Sequence, residues 1–240
     1  MNLAGKTALV TGGTDGIGAQ LIRQLRGKGV TVITQGRNPE RCAATRADGF
    51  EVIEADLSTR TGVASVVAAT AGRPIDILVN NAAAGVDHDF REAAPDADAA
   101  DLAIFLNLDA PIHLITALMP TLKSRPEAMI VNVTSGLAIA PRAGGPVYCA
   151  TKAGLRSYTQ ALREQLKGTR IHVLEALPPV VETKMTAGRD SKKMPPQECA
   201  RQFVVAMERN ANEANVGMVK LLQVVHSISP ALARRIMIRF

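Results

Sequence analysis

Three residues near the middle of the chain have the side chains and the spacing for proton transfer. Ser135 follows an apolar, β-branched run, and Tyr148 and Lys152 stand four residues apart where a helical pattern begins. Positions i and i+4 share one face of a helix, so these two side chains are predicted to point the same way. An ammonium beside a phenol favours its ionised form and lowers its pKa towards working pH, as a general acid or base requires. Ser135, if the fold brings it near, can hydrogen-bond the same reacting oxygen.

A glycine-rich turn near the start of the chain predicts an anion site. Gly12, Gly16 and Gly18 follow a first apolar strand and open a helix. Glycine permits the tight turn and lets the backbone approach a pyrophosphate. The helix N-terminus adds free N–H groups and the positive end of its dipole. The alternative is a merely structural turn between strand and helix.

Short apolar strands alternate with helical patterns along the 240 residues. The predicted strands are Lys6–Thr11, Val30–Gln35, Phe50–Glu54, Ile75–Val79, Met129–Thr134, Arg170–Leu177 and a short one at about Gly217–Lys220. The alternation predicts βαβ units and a single α/β domain, a doubly wound parallel sheet with helices on both faces. Ligands bind such a sheet at the carboxyl ends of its strands. Polar or glycine-rich groups follow six of the strands, at Gly12–Gly18, Arg37, Asp56, Asn80, Ser135 and Thr183.

Composition narrows the classes of function. The net charge of +6 would suit a phosphorylated cofactor, but the basic residues are scattered and there is no Trp, so nucleic acid is not expected. Cys42, Cys149 and Cys199 form no CxxC pair and predict reduced thiols in a cytoplasmic protein. The four histidines have no metal-ligand spacing, so no metal is expected. No apolar run approaches the ~20 residues that cross a bilayer, and the N-terminus lacks the layout of a signal peptide.

Together these motifs resemble those of the short-chain dehydrogenase/reductase family, single-domain type. They are T-G-G-x-x-G-I-G, N-N-A at residues 80–82, Asn107, Ser135 and Y-x-x-x-K, over Lys6 to about Met185. The segments P-V-Y-C-A-T-K-A and P-P-V-V-E-T-K-M are similar to the corresponding sequences of the DltE-like branch of the family, whose substrates are poorly defined. The resemblance implies a Rossmann fold with strand order 3-2-1-4-5-6-7. It also implies hydride transfer between a nicotinamide cofactor and a carbonyl or alcohol substrate.

The resemblance implies a role for each matching residue. Tyr148 would exchange a proton with the substrate oxygen, Lys152 would lower the tyrosine pKa and hold the nicotinamide ribose, and Ser135 would polarise the carbonyl. Asn107 would complete a tetrad through a water that relays protons. The implied cofactor contacts are Gly12, Thr14, Asp15, Gly16, Ile17 and Gly18 in the first turn, Arg37, Asp56 and Leu57 near the adenine end, Asn80 and Ala82 at the adenosine ribose, and Tyr148, Lys152, Val181 and Thr183 at the nicotinamide end.

The sequence supports the role of Asn107 independently. Pro111 follows it by four residues and has no N–H to donate to the carbonyl of residue 107. The predicted long helix from about Ala97 to Leu122 should therefore be disturbed at Asn107, freeing a carbonyl for a water. A bend made only for packing is the alternative.

Arg37 decides the predicted cofactor. A carboxylate at the end of the second strand would bind the adenine ribose 2′-OH and favour NAD, but Gly36 and Arg37 stand there. Arg37 can bind a 2′-phosphate, so NADPH is predicted over NADH. Asp15 argues against this choice, since NADP-preferring relatives often carry a basic residue there.

Three features depart from the family pattern. Ala83 replaces a glycine, Pro178-Pro179 replaces Pro-Gly, and the usual C-terminal D-G-G is absent. Residues 184–200, and Lys184–Pro196 above all, are predicted to form a substrate loop that acts as a lid. The tail Pro230–Phe240 reads as a basic amphipathic helix, for which packing on its own domain or on a partner subunit is favoured over a membrane or an acyl-substrate wall.

The sequence therefore predicts an NADPH-preferring oxidoreductase with a Ser-Tyr-Lys-Asn tetrad, acting on a small-molecule carbonyl or alcohol. A nucleotide-sensing binding protein without turnover is one alternative, although the complete tetrad speaks against it. A non-redox epimerase or lyase is the other. The helices at 97–122 and 148–167 are expected to pair in a homodimer or homotetramer, as in relatives.

Overall fold

Seven parallel strands form one sheet in the order β3-β2-β1-β4-β5-β6-β7 in the computed structural model, which describes residues 1–92, 94, 96–188 and 192–239. The strands are β1 (Thr7–Thr11), β2 (Thr31–Gly36), β3 (Glu51–Glu54), β4 (Ile77–Asn80), β5 (Ala128–Val133), β6 (Ile171–Leu177) and β7 (Glu213–Asn215). The predicted fold class and strand order are confirmed, and all three cysteines are free and buried.

Helices cover both faces of this sheet. In chain order the helices within the described residues are α1 (Gly16–Gly27), α2 (Pro39–Ala47), α3 (Arg60–Ala69), α4 (Ala97–Ile104), α5 (Ala110–Ser124), α6 (Pro146–Gln165), α7 (Pro196–Glu208), α8 (Val219–Ile228) and α9 (Pro230–Met237). Ala8 and Val10 of β1 pack into the core layer of α1 and α7, whereas Leu9 packs into the layer of α3, α5 and α6. The alternation of side chains along each strand thus supplies two hydrophobic layers.

The predicted position of the seventh strand was wrong. Extended chain at Glu213–Asn215 pairs with β6, and Gly217 has a φ of +54°, which turns the backbone out of the strand. Val216 and Val219 are then buried on either side of the turn rather than alternating across a sheet. The apolar residues after Gly217 belong to α8, so helical packing accounts for the hydrophobicity that suggested a strand.

The long helix is interrupted at the predicted place. Residues Phe105–Asp109 between α4 and α5 form a π-helical turn, in which the N–H of Ala110 donates to the carbonyl of Phe105. Pro111 offers no N–H to the carbonyl of Asn107, so a regular α-helical bond is missing there. The freed carbonyl and its water stay a prediction.

The same segment differs from the expectation that no apolar stretch is long enough to cross a membrane. Ala97–Ser124 is 28 residues long and apolar enough to cross a membrane by length and composition alone. Here Leu106, Leu114 and Leu118 are buried in the core layer against the sheet. The apolarity of this segment is that of a core helix.

Candidate functional site

A crevice of about 320 Å³ opens at the carboxyl ends of the central strands. Nearly all of the predicted site residues line it. These are Gly12, Thr14, Asp15, Gly16, Ile17, Gly18, Arg37, Asp56, Leu57, Ala82, Ser135, Tyr148, Lys152, Val181 and Thr183. Residues up to 171 positions apart in the chain, from 12 to 183, therefore meet at one edge of the sheet.

Ser135, Tyr148 and Lys152 all line this crevice. Tyr148 and Lys152 lie one turn apart on α6, and the Lys152 Nζ stands 5.8 Å from the centre of the Tyr148 ring. Lys152 is only 2% exposed, and its Nζ donates to the carbonyl of Val133 at 2.8 Å. Burial lowers the pKa of Lys152 to about 8. A buried ammonium held beside a phenol is the arrangement that proton transfer by tyrosine requires.

Asn107 lies behind the crevice wall. It is fully buried, and its Nδ2 donates to the carbonyl of Ala84 at 2.8 Å and to Thr151 Oγ1 at 3.1 Å. Its Oδ1 accepts the N–H of Ala84 at 2.9 Å. The side chain therefore fastens the loop after β4 to α6, the helix that carries Tyr148, which makes it a positioning group in this structure.

Asn80, a predicted ribose contact, has a side chain that does not line the crevice. Its side chain is buried and its Nδ2 donates to Asn132 Oδ1 at 2.9 Å, inside the protein. β4 ends at Asn80, and the two residues that follow it, Asn81 and Ala82, line the crevice instead. Asn81 donates through its Nδ2 to the carbonyl of Thr11 at 2.9 Å and thereby joins β4 to the glycine turn.

The glycine positions of the turn have no room for a side chain. Gly12 and Gly16 have φ values of +67° and +53°, in the left-handed region that favours glycine. A Cβ built on Gly18 would lie 2.2 Å from the carbonyl oxygen of Gly12. Backbone therefore packs on backbone here, and the first turn of α1 faces the crevice.

We expect Gly18→Ala to weaken anion binding at this turn and to destabilise the fold. The added methyl meets the Gly12 carbonyl, which belongs to the turn and cannot rotate away. Gly27→Ala is the matched control, because it lies in the same helix with nothing within 4 Å of its Cβ. It should stabilise the protein by roughly 0.5–1 kcal/mol. Thermal unfolding with and without a nicotinamide dinucleotide measures both effects, and equal behaviour of the two variants would contradict this view of the turn.

Arg41 is a crevice residue that the sequence did not single out. Asn38 caps α2 by accepting the N–H of Arg41, and Pro39 begins the helix, so the third helical residue turns back over the crevice. Arg41 Nη1 lies 3.2 Å from Asp15 Oδ2, and Lys184 Nζ lies 3.8 Å from the same oxygen. The sequence pattern that could have identified Arg41 is Asn38-Pro39, a helix cap and first helical residue, with the arginine two residues after the proline.

A second, larger cavity adjoins the crevice. It measures about 510 Å³ and shares Ser135, Tyr148, Pro178, Pro179, Met185 and Thr186 with the crevice. The other lining residues are Gly136, Leu137, Arg142, Val180, Lys192, Met218, Val219, Leu221, Leu222, Val225, Ile236 and Met237. We name this cavity the apolar chamber. The contribution of α8 was not predicted from the sequence, although the apolar residues of this segment recur at helical spacing.

The predicted substrate loop lies between the two cavities. Lys184–Thr186 forms a short 3-10 turn after Thr183, and Val181 pairs with Met194 at the base of the loop. The predicted boundary at residue 200 was wrong, because Pro196 already begins α7, where its fixed φ suits the first helical position. Residues 189–191 of the predicted lid, and Phe240 of the predicted tail, lie outside the described residues.

Comparison with known proteins agrees with this architecture. The model of the short chain dehydrogenase family matches residues 6–194. The uncharacterised oxidoreductase DltE of Bacillus subtilis (strain 168) is 38% identical over 187 residues, 76% of this chain and 74% of that protein. A solved short chain dehydrogenase from Burkholderia cenocepacia J2315 in complex with NADP is 26% identical, with a TM-score of 0.88 over 99% of each chain.

A third similar protein is the 3-ketoacyl-(acyl-carrier-protein) reductase from Brucella melitensis, solved as a complex with NADH. It is 25% identical, with a TM-score of 0.80 over 88% of this chain and 96% of that one. The sheet order, the crevice at its carboxyl edge and the matched residues lead to one assignment. The chain belongs to the short-chain dehydrogenase family of oxidoreductases and resembles its DltE-like branch.

Proposed function

We propose that this protein transfers hydride between a nicotinamide cofactor, NADPH in preference to NADH, and a carbonyl or alcohol substrate. The observation that carries the proposal is the sharing of one crevice by two sets of residues. The glycine turn lines it and would let a pyrophosphate meet the N-terminus of α1. Ser135, Tyr148 and Lys152 line the same crevice.

The residues of the crevice fit a 2′-phosphorylated dinucleotide. Arg37 is exposed at the end of β2, and Arg41 Nε is a buried donor with no hydrogen-bond partner among the described residues. The Asp15 carboxylate, which argued against NADP, is engaged by Arg41 and Lys184 and accepts the N–H of Gly16. Its charge is therefore offset, and two guanidinium groups line the place that a 2′-phosphate would take.

The protein would supply the proton and the orientation. The cofactor, when bound, donates or accepts the hydride. Tyr148 would protonate the substrate oxygen during reduction, Ser135 would donate a hydrogen bond to the same oxygen, and the Lys152 ammonium would favour the ionised tyrosine and bind the nicotinamide ribose. Asn107 would hold α6 and the loop at Ala84 in register and, through its carbonyl, bind the relay water.

A panel of aldehydes, ketones and alcohols with each cofactor tests the proposal. Reduction should consume one NADPH for each carbonyl reduced, followed by the absorbance of the reduced nicotinamide and by product analysis. A nucleotide sensor would bind the cofactor without consuming it. An epimerase or lyase would convert its substrate with no net change in absorbance. The predicted cytoplasmic location and homodimer or homotetramer stay predictions.

We expect the rate of reduction to fall as the pH rises above about 8. Lys152 is buried and its pKa is lowered from 10.5 to about 8, so above that pH the ammonium that favours the Tyr148 phenolate is lost. Profiles of kcat/KM against pH measure this. A profile that stays flat up to pH 10.5, the unshifted pKa of this lysine, would contradict it.

The same titration should affect stability with the opposite sign. The unfolded chain keeps the Lys152 proton up to its ordinary pKa, whereas the folded protein releases it near 8. Between those two values the unfolded state binds more protons, so this lysine makes the free energy of unfolding rise with pH. Comparison with Lys152→Met, which has no titrating group there, isolates the effect. As the pH rises from about 8 to 10.5, the free energy of unfolding of the wild type should rise relative to that of the variant.

A further inference from the structure

We infer that the substrate carries an aliphatic chain and that the apolar chamber binds it, an inference that rests on the proposed function. The chamber and the crevice share Ser135 and Tyr148. A carbonyl at the Tyr148 hydroxyl would therefore have the dinucleotide on one side and the chamber on the other. Whatever is attached to that carbonyl extends into the chamber.

The far wall of the chamber comes from the C-terminal part of the chain. α8 and the residue before it supply Met218, Val219, Leu221, Leu222 and Val225, and α9 supplies Ile236 and Met237. These residues lie beyond residues 6–194, which the family model matches. This wall of the chamber thus lies outside the part of the chain that the family model matches.

Three features hold that wall in place. A Cβ on Gly136, the residue after Ser135, would lie 3.1 Å from Val219 Cγ2, so α8 packs directly on the backbone there. α9 is held by Ala233, which is fully buried, and by the carbonyl of Ile238, which accepts the N–H of Ala143 at 3.0 Å. The predicted amphipathic tail therefore packs on its own domain.

The chemistry of the lining favours an apolar chain. No carboxylate is present among the described residues that line the chamber, and the two cations are Arg142, which pairs with Asp87, and Lys192. Leu221 and Ile236 line it while remaining 55% and 50% exposed. A chain laid along them would remove that apolar surface from water. The volume of about 510 Å³ lies within the range of small-molecule sites, about 300–1,000 Å³.

A homologous series of unbranched 2-ketones tests the inference with NADPH as reductant. The burial of each additional methylene should raise kcat/KM about fourfold until the chamber is filled. Isothermal titration of the same ketones into the NADP⁺-loaded protein measures the same dependence without turnover. A series whose kcat/KM and affinity do not change with chain length would overturn the inference.

Two neighbouring residues of α8 provide a variant and its matched control. Val225 lines the chamber, whereas Val224 is 54% exposed and does not. Val225→Asp should lower the preference for long over short ketones by about tenfold or more, because a carboxylate in the chamber opposes burial of a chain. Val224→Asp should leave that preference unchanged. Equal losses in both variants would overturn the inference.

Failure of the inference can be told apart from failure of the proposed function. Turnover that is indifferent to chain length keeps the reductase and rejects the aliphatic substrate. Binding that tightens with chain length, without any consumption of NADPH, keeps the chamber and rejects the reductase. The absence of both binding and turnover rejects both.

Discussion

Tyr148→Phe should leave cofactor binding intact and lower kcat by about 10²–10⁴-fold, the range of a lost general acid. The change removes one oxygen and keeps the ring that stands 5.8 Å from Lys152 Nζ. The crevice and the glycine turn are untouched, so the dissociation constant for NADPH should change little. Single-turnover kinetics with a reactive aldehyde, together with fluorescence titration of NADPH, separate the chemical step from binding.

The chain contains its own control for this experiment. Tyr158 is the second of two tyrosines and lies on the same helix, partly buried against the core layer of α5 and away from the crevice. Tyr158→Phe makes the same chemical change and should keep nearly full activity. If both variants were equally active, the phenolic proton would not take part in the reaction. If both were equally inactive, the loss would reflect the integrity of α6.

Arg37→Ala should raise the KM for NADPH by about tenfold to a hundredfold and change the KM for NADH little. A hydrogen bond to a charged group contributes about 1.5–3 kcal/mol, and only the 2′-phosphate distinguishes the two cofactors at this place. Arg37 lines the crevice at the end of β2, where no carboxylate is present to bind a ribose hydroxyl. Steady-state kinetics with both cofactors measure the ratio of the KM for NADH to the KM for NADPH. That ratio should fall by the same tenfold to hundredfold factor.

Two further arginines sharpen this test. Arg23→Ala breaks an exposed ion pair with Asp48 outside the crevice and should leave both KM values unchanged. Arg41→Ala removes the partner of Asp15 as well as a proposed ligand of the 2′-phosphate. It should therefore raise the KM for NADPH more than Arg37→Ala does. An equal rise of KM for NADPH and NADH in Arg37→Ala would show that the residue does not read the 2′-position, and the predicted preference would be wrong.

Several parts of the site could be read from the sequence because they are local. The spacing of Tyr148 and Lys152 places them on one helical face whatever surrounds the helix. Glycines in a strand-to-helix turn constrain the backbone before any tertiary contact forms. Pro111 lacks its N–H in every conformation, so the regular helical bond to Asn107 is missing, and Asn107 lies in a π-helical turn.

Two segments could not be assigned from the sequence, because their hydrophobicity is compatible with two different structures. The apolar residues around Gly217 suit either a strand or the start of a helix. Only the close packing of Gly217 against Met194 and the pairing of Glu213–Asn215 with β6 choose between them. The length of the helix at 97–124 suits either a membrane or a core. Here the sheet provides the apolar surface that it covers, which no pattern within the helix itself specifies.

The sequence by itself determined the order of the elements, the anion-binding turn and the tyrosine–lysine pair, because each depends on contacts between neighbours in the chain. The tertiary structure alone decided which side chains meet across the sheet. It turned Asn80 inward and Asn81 outward, and it brought Arg41 over Asp15. It also closed a chamber between Ser135 and α9, about a hundred residues apart, since such contacts arise from the packing of whole elements.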